Sequence, residues 1–386
     1  MIYADYNGSA PLNKKVTEYL KERLETGPFA NPNALHYAGR EIKKGMESCR
    51  KKCAELLGAD KKQIIFNSGS SEGITHLFHS LLSYTPQNQR DIIIISSIEH
   101  AVVHNCAQFF APMGYEVRTL PVNSQGVVDT TVLKKWLDQE ASRVALLCTM
   151  AANNETGVVQ PIQEIGQLCQ KHHIPFVSDT TQYIGKTPFK FNELPIDYAV
   201  VSGHKIGALT GVGMVLAKGP HKLQAFIQGG GQENGLRGGT QNYIGIETLT
   251  LALEDSMNHL EEKLQKAHDA KKQFEEKMKK EFPSLIIIGD ESTRLAGTTL
   301  FSYPGLHGQA IQIELESVGI YVTTSSACSD NSPATSRVIK AMGYSDDVGR
   351  GIVRIGLGLE NCHETYGKLF EALKMAINKL LKISSY

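Results

Sequence analysis

Between about residues 63 and 218, short apolar runs alternate with segments of helical length. The apolar runs are residues 63–66, 91–96, 115–120, 144–149, 175–178, 197–202 and 212–217. Runs that are apolar along nearly their whole length are typical of strands covered by helices on both faces. The pattern therefore predicts an α/β unit built on a mainly parallel, seven-stranded sheet.

The pattern changes on either side of this unit. A long helix is predicted over about 35–57, with Gly58 as its C-cap. A charged helical stretch over about 253–282 predicts a connection to a second unit. Beyond it the pattern predicts strands near 285–288 and 298–302 and helices near 309–318 and 363–381.

These elements predict two domains. We interpret residues 13–255 as a large domain that holds the seven-stranded sheet. We interpret residues 1–12 together with 256–386 as a smaller α+β domain, in which the first few residues of the chain pack with the C-terminal part.

Composition and charge narrow the class of protein. The 386 residues are enough for two or three units, and a hydrophobic content of 41% is enough for a substantial core. Forty Lys and Arg residues balance forty Asp and Glu residues, which argues against a nucleic-acid binder. The apolar runs are far shorter than the ~20 residues of a membrane-spanning helix. The N-terminus lacks a signal-peptide pattern, and seven scattered cysteines do not suggest a disulfide framework. We therefore expect a soluble, cytoplasmic protein without membrane partners.

Three polar sites follow strands of the predicted sheet. Residues 67–73 combine hydroxyls and glycines at the start of a helix, which suits either a bound anion or an ordinary Ser N-cap. Asp179 could pair with a protonated ring nitrogen or cap the next helix. Lys205 could form a Schiff base with an aldehyde cofactor or be a solvated amine. A phosphorylated aldehyde cofactor with a ring nitrogen needs all three groups, so their order along the chain favours that interpretation.

Two further segments have a functional and a structural interpretation. Residues 228–239 include six glycines, which fit either a flexible loop or a close approach of the backbone to a ligand or partner. Cys328 lies in a stretch of small polar residues, where it could be a nucleophile, active as its thiolate, or an incidental loop thiol. The pair Cys49 and Cys53 lacks further ligands nearby, so no metal site is predicted.

Taken together, these motifs resemble the cysteine desulfurases of the NifS/IscS type, which are pyridoxal-phosphate enzymes of the class V aminotransferase family. The resemblance covers nearly the whole chain and rests most on Ser202-Gly203-His204-Lys205, Asn153-Asn154-Glu155-Thr156-Gly157 and Ser326-Ala327-Cys328. It implies the fold-type-I architecture of aminotransferases, pyridoxal 5′-phosphate as the cofactor, and conversion of L-cysteine to L-alanine.

The resemblance also implies roles for individual residues. Lys205 would bond covalently to the cofactor, His100 would stack on its ring and handle a substrate proton, and Cys328 would receive the sulfur as a persulfide. Asn153 and Arg354 would orient the substrate, Arg354 through its carboxylate. The cofactor would be held by Ser70, Ser71, His100, Asn153, Asp179, Gln182, Ser202, His204, Lys205 and Thr240. Among these, Asp179 would pair with the pyridine nitrogen, Gln182 would bind the phenolic oxygen, and Thr240 would reach the phosphate of a partner subunit.

The same resemblance implies a homodimer with shared active sites, a small domain that carries the cysteine loop at about 323–335, and a sulfur-acceptor or scaffold protein for iron–sulfur cluster or other thio-cofactor synthesis. The chain departs from the family pattern in places. Asn7-Gly8-Ser9-Ala10-Pro11 follows Asp5-Tyr6 where Ala-Thr-Thr-Pro is frequent, and Arg237-Gly238-Gly239-Thr240 replaces Arg-Ser-Gly-Thr. A selenocysteine lyase, another class V aminotransferase and a cofactor-free binding protein on the same scaffold are the alternative functions.

Overall fold

The fold is known from a computed structural model that describes residues 1–83, 85–86, 89–324, 335–360 and 362–384. Its helices are α1 (Lys14–Thr26), α2 (Tyr37–Leu57), α3 (Ser70–Leu81), α4 (Ala101–Phe110), α5 (Thr130–Glu140), α6 (Ile162–Lys171), α7 (Tyr243–Met257), α8 (Leu260–Glu281), α9 (Gly308–Ser317), α10 (Arg337–Ala341), α11 (Asp346–Arg350) and α12 (Cys362–Ser384). Its strands are β1 (Ile2–Tyr3), β2 (Ile64–Asn67), β3 (Ile92–Ser96), β4 (Glu116–Leu120), β5 (Val144–Met150), β6 (Phe176–Asp179), β7 (Tyr198–Ser202), β8 (Gly213–Ala217), β9 (Ile286–Ile287), β10 (Thr298–Ser302), β11 (Ile320–Tyr321) and β12 (Ile352–Gly356).

The large sheet contains all seven of the predicted strands. Their order across the sheet is β2-β8-β7-β6-β5-β3-β4, and all pairs are parallel except those that β8 makes with β2 and β7. Strands β2, β3, β5, β6, β7 and β8 are buried almost throughout, as expected for a sheet that helices cover on both faces. The predicted α/β class with a mainly parallel seven-stranded sheet is confirmed.

Helix α2 confirms the predicted long helix and shows how its ends are fixed. The helix begins at Tyr37 because His36 is the N-cap, and its Nδ1 accepts a hydrogen bond from the Gly39 N–H at 3.2 Å. It ends at Leu57 because Gly58 takes the left-handed conformation with φ of 61°, which favours glycine.

The pattern suggested one continuous helix over 253–282, but the structure has two helices there. Asn258 and His259 separate α7 from α8, and His259 has a φ of 50°. No Gly or Pro marks this left-handed position, so nothing in the sequence signals a break. The charged helical periodicity continues across it. The turn still delivers α8 to the C-terminal part of the fold, where it packs against α12.

The C-terminal part forms two small sheets together with the N-terminus. Strands β12, β10 and β9 form an antiparallel sheet, and β1 pairs in parallel with β11. Asp5 adds a bridge to Gly356, so the first residues of the chain pack with the last third, as the sequence predicted. The domain boundaries at 12 and 255 stay predictions. Within the described ranges, no helix combines the length and apolar character needed to cross a bilayer.

Candidate active site

A cavity of about 570 Å³ lies at the carboxyl edge of the large sheet. The turns that leave β2, β3, β5, β6 and β7 all meet there, because those strands run in the same direction. The residues that were predicted from the sequence and line this cavity are Ser70, Ser71, His100, Asp179, Gln182, Ser202, His204, Lys205 and Arg354.

One end of the cavity is built to hold an anion. Gly69 precedes α3 with a φ of 143°, and a Cβ at this position would lie 3.2 Å from the Ser202 Oγ. The Ser70 hydroxyl and the Thr181 Oγ1 form a hydrogen bond at 2.6 Å, which fixes the Ser70 hydroxyl at the helix N-terminus. Hydroxyls and free N–H groups at the positive end of a 12-residue helix suit a phosphate.

Asp179 is the last residue of β6 and is 6% exposed. Its Oδ1 accepts hydrogen bonds from the backbone N–H of Thr181, at 3.0 Å, and from the Thr181 hydroxyl. Because Thr181 also contacts Ser70, one residue ties the carboxylate to the anion end of the cavity. A buried carboxylate at this edge would stabilise a protonated ring nitrogen.

Lys205 follows β7 and reaches across the cavity to the N-terminal segment. Its Nζ donates to the backbone oxygens of Asn7, at 2.8 Å, and Gly8, at 2.5 Å. Gly8 must be small, since a Cβ there would lie 2.3 Å from the Asp5 Oδ2. Both of these contacts are to neutral backbone carbonyls. A lysine amine at this place in the cavity could react with an aldehyde.

Arg354 on β12 brings a cation from the small sheet into the same cavity. Its guanidinium donates to Asp5 Oδ1 at 2.7 Å and to the backbone oxygen of Asn154 at 3.0 Å, and the residue is 8% exposed. A guanidinium held this firmly presents its N–H groups in a fixed fork, the geometry that binds a carboxylate.

Two histidines in the cavity wall have defined hydrogen-bond partners. His100 caps α4, and its Nδ1 accepts from the Val102 N–H at 3.2 Å, so the proton of a neutral ring lies on Nε2. The Nδ1 of His204 lies 3.1 Å from the Ser9 Oγ. Burial, followed by the charges of Lys205 and Lys186, lowers the pKa of His204 to about 4. The His204 ring is therefore uncharged near neutral pH.

The structure adds Glu99, to which the sequence motif assigned no role. Its Oε1 accepts from the Ser96 hydroxyl at 2.5 Å and from the Met150 N–H at 2.7 Å, whereas Oε2 is buried without a hydrogen-bond partner. Burial, reinforced by the Asp179 carboxylate, raises the pKa of Glu99 to about 8. Glu99 is therefore a protonated acid in the wall of the cavity at neutral pH.

Asn153 does not line the cavity, and Thr240, which was predicted to reach the site of a partner subunit, does not line the cavity of its own chain. The amide of Asn153 is fully buried and bonds Ile98, Glu155 and Thr156, whereas its neighbour Asn154 lines the cavity. Thr240 is exposed at the end of the glycine-rich segment. Asn154 was not predicted, because a motif with two adjacent asparagines does not show which side chain faces the cavity.

Cys328 lies outside the described residues, but both ends of its segment reach the cavity. Thr324 lines the cavity directly. On the other side, the Ser336 hydroxyl donates to the Glu155 Oε2 at 2.6 Å, and Glu155 also lines the cavity. The segment between them thus begins and ends at the cavity wall.

The cavity suits pyridoxal phosphate by the chemistry of its donors. That cofactor needs an anion site, an acid for the ring nitrogen and an amine for the aldehyde. The hydroxyls of Ser70 and Ser202, the carboxylate of Asp179 and the amine of Lys205 supply these groups around one cavity. The residues present therefore fit the cofactor that the sequence resemblance implied.

Comparison with known proteins points to the same family. The model of the family described as aminotransferase class-V matches residues 2–369. A cysteine desulfurase IscS from Dictyoglomus turgidum is 32% identical over 385 residues, covering 100% of this chain and 96% of that protein. A solved NifS-like protein superposes with a TM-score of 0.88 at 29% identity, covering 98% of this chain and 99% of that one. A further solved structure, SspA in complex with cysteine, has a TM-score of 0.78 at 29% identity, covering 92% of this chain and 99% of that one.

Proposed function

This chain belongs to the class-V aminotransferase family, among its IscS-type cysteine desulfurases, and we propose from that premise that it converts L-cysteine to L-alanine and passes the sulfur to Cys328. The reaction is balanced without an external oxidant, because cysteine and a thiol give alanine and a persulfide. One observation carries the proposal. The acid, amine, anion site and guanidinium surround one cavity at whose wall the Cys328 segment begins and ends.

Pyridoxal phosphate, when bound, supplies the electron sink that activates the amino acid. The residues of this chain would bind and orient the reactants. Asp179 would keep the ring nitrogen protonated, and Arg354 would hold the substrate carboxylate through its fixed N–H fork. Lys205 would take up the proton from the substrate Cα. His100, whose Nε2 would carry its proton, would exchange a proton with the substrate thiol.

Cys328 would be the sulfur acceptor. It is four residues from Thr324, which lines the cavity, and four residues span at most about 14 Å even when fully extended. Covalent geometry therefore limits how far Cys328 can lie from Thr324. The second tether, from Ser336 to Glu155, supports delivery of the same segment to the substrate.

A homodimer with shared active sites is part of the proposal. Thr240 is exposed and absent from the cavity of its own chain, which supports a role in the cavity of a second copy. Phe226 and Ile227, which directly precede the glycine-rich segment, are 43% and 36% exposed, as expected for side chains that a partner would cover.

The cellular setting of the proposal follows from chemistry. The cytoplasm keeps thiols reduced, as this chemistry requires. The six described cysteines are free thiols, which supports a cytoplasmic location. The persulfide sulfur would serve iron–sulfur cluster or other thio-cofactor synthesis through an acceptor or scaffold protein, as the IscS names of the relatives suggest.

The test is product formation by protein loaded with pyridoxal phosphate and given L-cysteine with a thiol reductant. The wild type should release alanine and sulfide in equal amounts. Cys328→Ala should keep the bound cofactor and its spectral response to cysteine but lose both products. Sulfide release by the variant at the wild-type rate would refute the role of Cys328. A wild type that takes up no cofactor would refute the enzyme assignment.

A further inference from the structure

Gln182 lies in the wall between two neighbouring cavities. It lines the cofactor cavity, whereas Lys186, four residues later, lines a second cavity of about 450 Å³. Asn7 and Lys205 line both. Side-chain contacts through this wall therefore connect the second cavity to the cofactor cavity.

The contacts of the Gln182 amide determine which of its ends faces each neighbour. The Lys186 Nζ donates to Gln182 Oε1 at 2.5 Å, and Gln182 Nε2 donates to the backbone oxygen of Asn7 at 2.8 Å. A lysine ammonium can only donate, and a backbone carbonyl can only accept. The amide can satisfy both only in this orientation, which leaves one N–H of Nε2 available to the cofactor cavity.

The local backbone delivers Lys186 to this position. Residues 180–186 form successive turns, in which the Ile184 N–H bonds the Thr180 oxygen at 3.0 Å and the Lys186 N–H bonds the Tyr183 oxygen at 3.1 Å. Gly185 has a φ of 78°, and a Cβ there would lie 2.8 Å from Ile206 and from Ser256. Only glycine fits this close approach, so the turn places the lysine four residues after the glutamine on the same side.

Lys186 is an unusual cation for its surroundings. Among the residues that the structure describes, no carboxylate oxygen lies within 4.0 Å of its Nζ. The acids that line the second cavity already pair with other lysines, Asp255 with Lys15 at 2.7 Å and Glu360 with Lys263 at 3.2 Å. Burial, followed by the charges of Lys205 and Arg354, lowers the pKa of Lys186 to about 7. A desolvated amine without a counter-ion lowers stability, so a role in packing alone does not account for it.

We propose that Lys186 is a positioning residue that holds the Gln182 amide so that an N–H, and not the carbonyl oxygen, faces the phenolic oxygen of the cofactor. The inference rests on the proposed function, in which Gln182 contacts that oxygen. A donor there stabilises the oxygen as its anion, whereas a flipped amide would present a repelling oxygen. Lys186 acts through Gln182 and touches neither cofactor nor substrate.

The test is a double-mutant cycle on the cofactor-loaded enzyme with Lys186→Met, Gln182→Leu and both together. The readouts are the pH midpoint of the absorbance change of bound cofactor and the dissociation constant of the cofactor. Lys186→Met should raise the midpoint by about one pH unit, because the phenolic anion loses a donor. In the Gln182→Leu background the same change should have no further effect. Lys186→Arg, which keeps a donor, should stay closer to the wild type than Lys186→Met does.

Lys263→Met is the matched control, because it removes a paired amine from the same cavity without touching Gln182. It should leave the midpoint unchanged, and the melting temperature of cofactor-free Lys186→Met should not fall. A midpoint shift of equal size with and without Gln182 would overturn the inference, since it would indicate a through-space charge effect. An unshifted Lys186→Met would overturn it as well, in an enzyme that still makes alanine. A wild type that binds no cofactor would overturn the proposed function first and this inference with it.

Discussion

Glu99 is a carboxyl whose protonation the fold imposes. Its ordinary pKa near 4.5 is raised to about 8, so the folded protein keeps a proton that the unfolded chain loses as the pH rises. The stability from this group is fully present below pH 4.5 and is lost as the pH rises toward 8. The sequence named Glu99 only as the neighbour of His100, because burial of a carboxyl is a tertiary property.

We predict that Glu99→Gln gains stability relative to the wild type as the pH rises. The glutamine does not titrate, so the difference in unfolding free energy should grow in its favour by on the order of 3–4 kcal/mol between pH 5 and 8. Chemical denaturation of both cofactor-free proteins across this range measures the difference. Parallel curves for the two proteins would show that Glu99 is ionised in the folded state.

Arg354 offers a test of substrate orientation. Arg354→Lys keeps the charge but loses the planar fork, so kcat/KM for L-cysteine should fall about 100-fold, mostly through KM. Asp5→Asn is the control, because it removes the ion-pair partner and keeps the guanidinium. Steady-state alanine formation measures both variants. Equal losses in the two would mean that the ion pair, and not carboxylate binding, explains the effect.

At the scale of elements, apolar runs predicted all seven strands of the large sheet. Six of the strands are buried on both faces and leave a continuous signal, whereas β4 lies at the sheet edge and is largely exposed. The break between α7 and α8 left no such signal, since it depends on one left-handed histidine. The glycine-rich segment had two interpretations at the sequence level. In the structure Glu233 anchors it, in a left-handed conformation with φ of 48°.

That anchor is a buried ion pair. Glu233 accepts two hydrogen bonds from Arg50 on α2, at 2.8 and 2.9 Å, and one from the Phe66 N–H at 2.9 Å. The side chains of Arg50 and Glu233 are 7% and 1% exposed. The pair thus fixes the segment that leads to Thr240 against the start of the cofactor cavity.

We predict that Glu233→Gln lowers the unfolding free energy by about 3–5 kcal/mol, because it removes the buried counter-ion of Arg50 and leaves only the exposed carboxylate of Glu47 beside it. The exposed pair of Lys52 and Glu254 is the control, with side chains 41% and 46% exposed. Lys52→Ala should leave the unfolding free energy almost unchanged, because the pair is exposed to solvent. Urea unfolding of the two variants provides the comparison. Similar small losses in both would contradict an anchoring role for Glu233.

At the scale of the whole molecule, the N-terminal segment joins both parts of the fold at the cavity. Asp5 pairs with Arg354, and the Asn7 side chain donates to Asn154, at 3.2 Å, and to Thr298, at 3.0 Å. The sequence predicted that the first residues pack with the C-terminal part. It could not predict that their backbone oxygens hold Lys205, because main-chain contacts leave no residue-type signal.

A shared active site predicts complementation between two inactive copies. Lys205→Ala and Thr240→Ala, combined in mixed dimers, should rebuild one complete site from Lys205 of one copy and Thr240 of the other. Desulfurase activity of the mixture should clearly exceed the sum of the separate variants. Activity equal to that sum would show that each chain forms its site alone.

The most direct test of the central claim is where the sulfur goes. Cofactor-loaded wild type is treated with L-cysteine without reductant and analysed by mass spectrometry of its peptides. The account predicts one added sulfur atom on Cys328 and none in Cys328→Ser. Of the other six cysteines, five are buried and Cys49 is partly exposed, and these should stay unmodified. Sulfur on another cysteine, or alanine formed with no protein persulfide, would contradict the account.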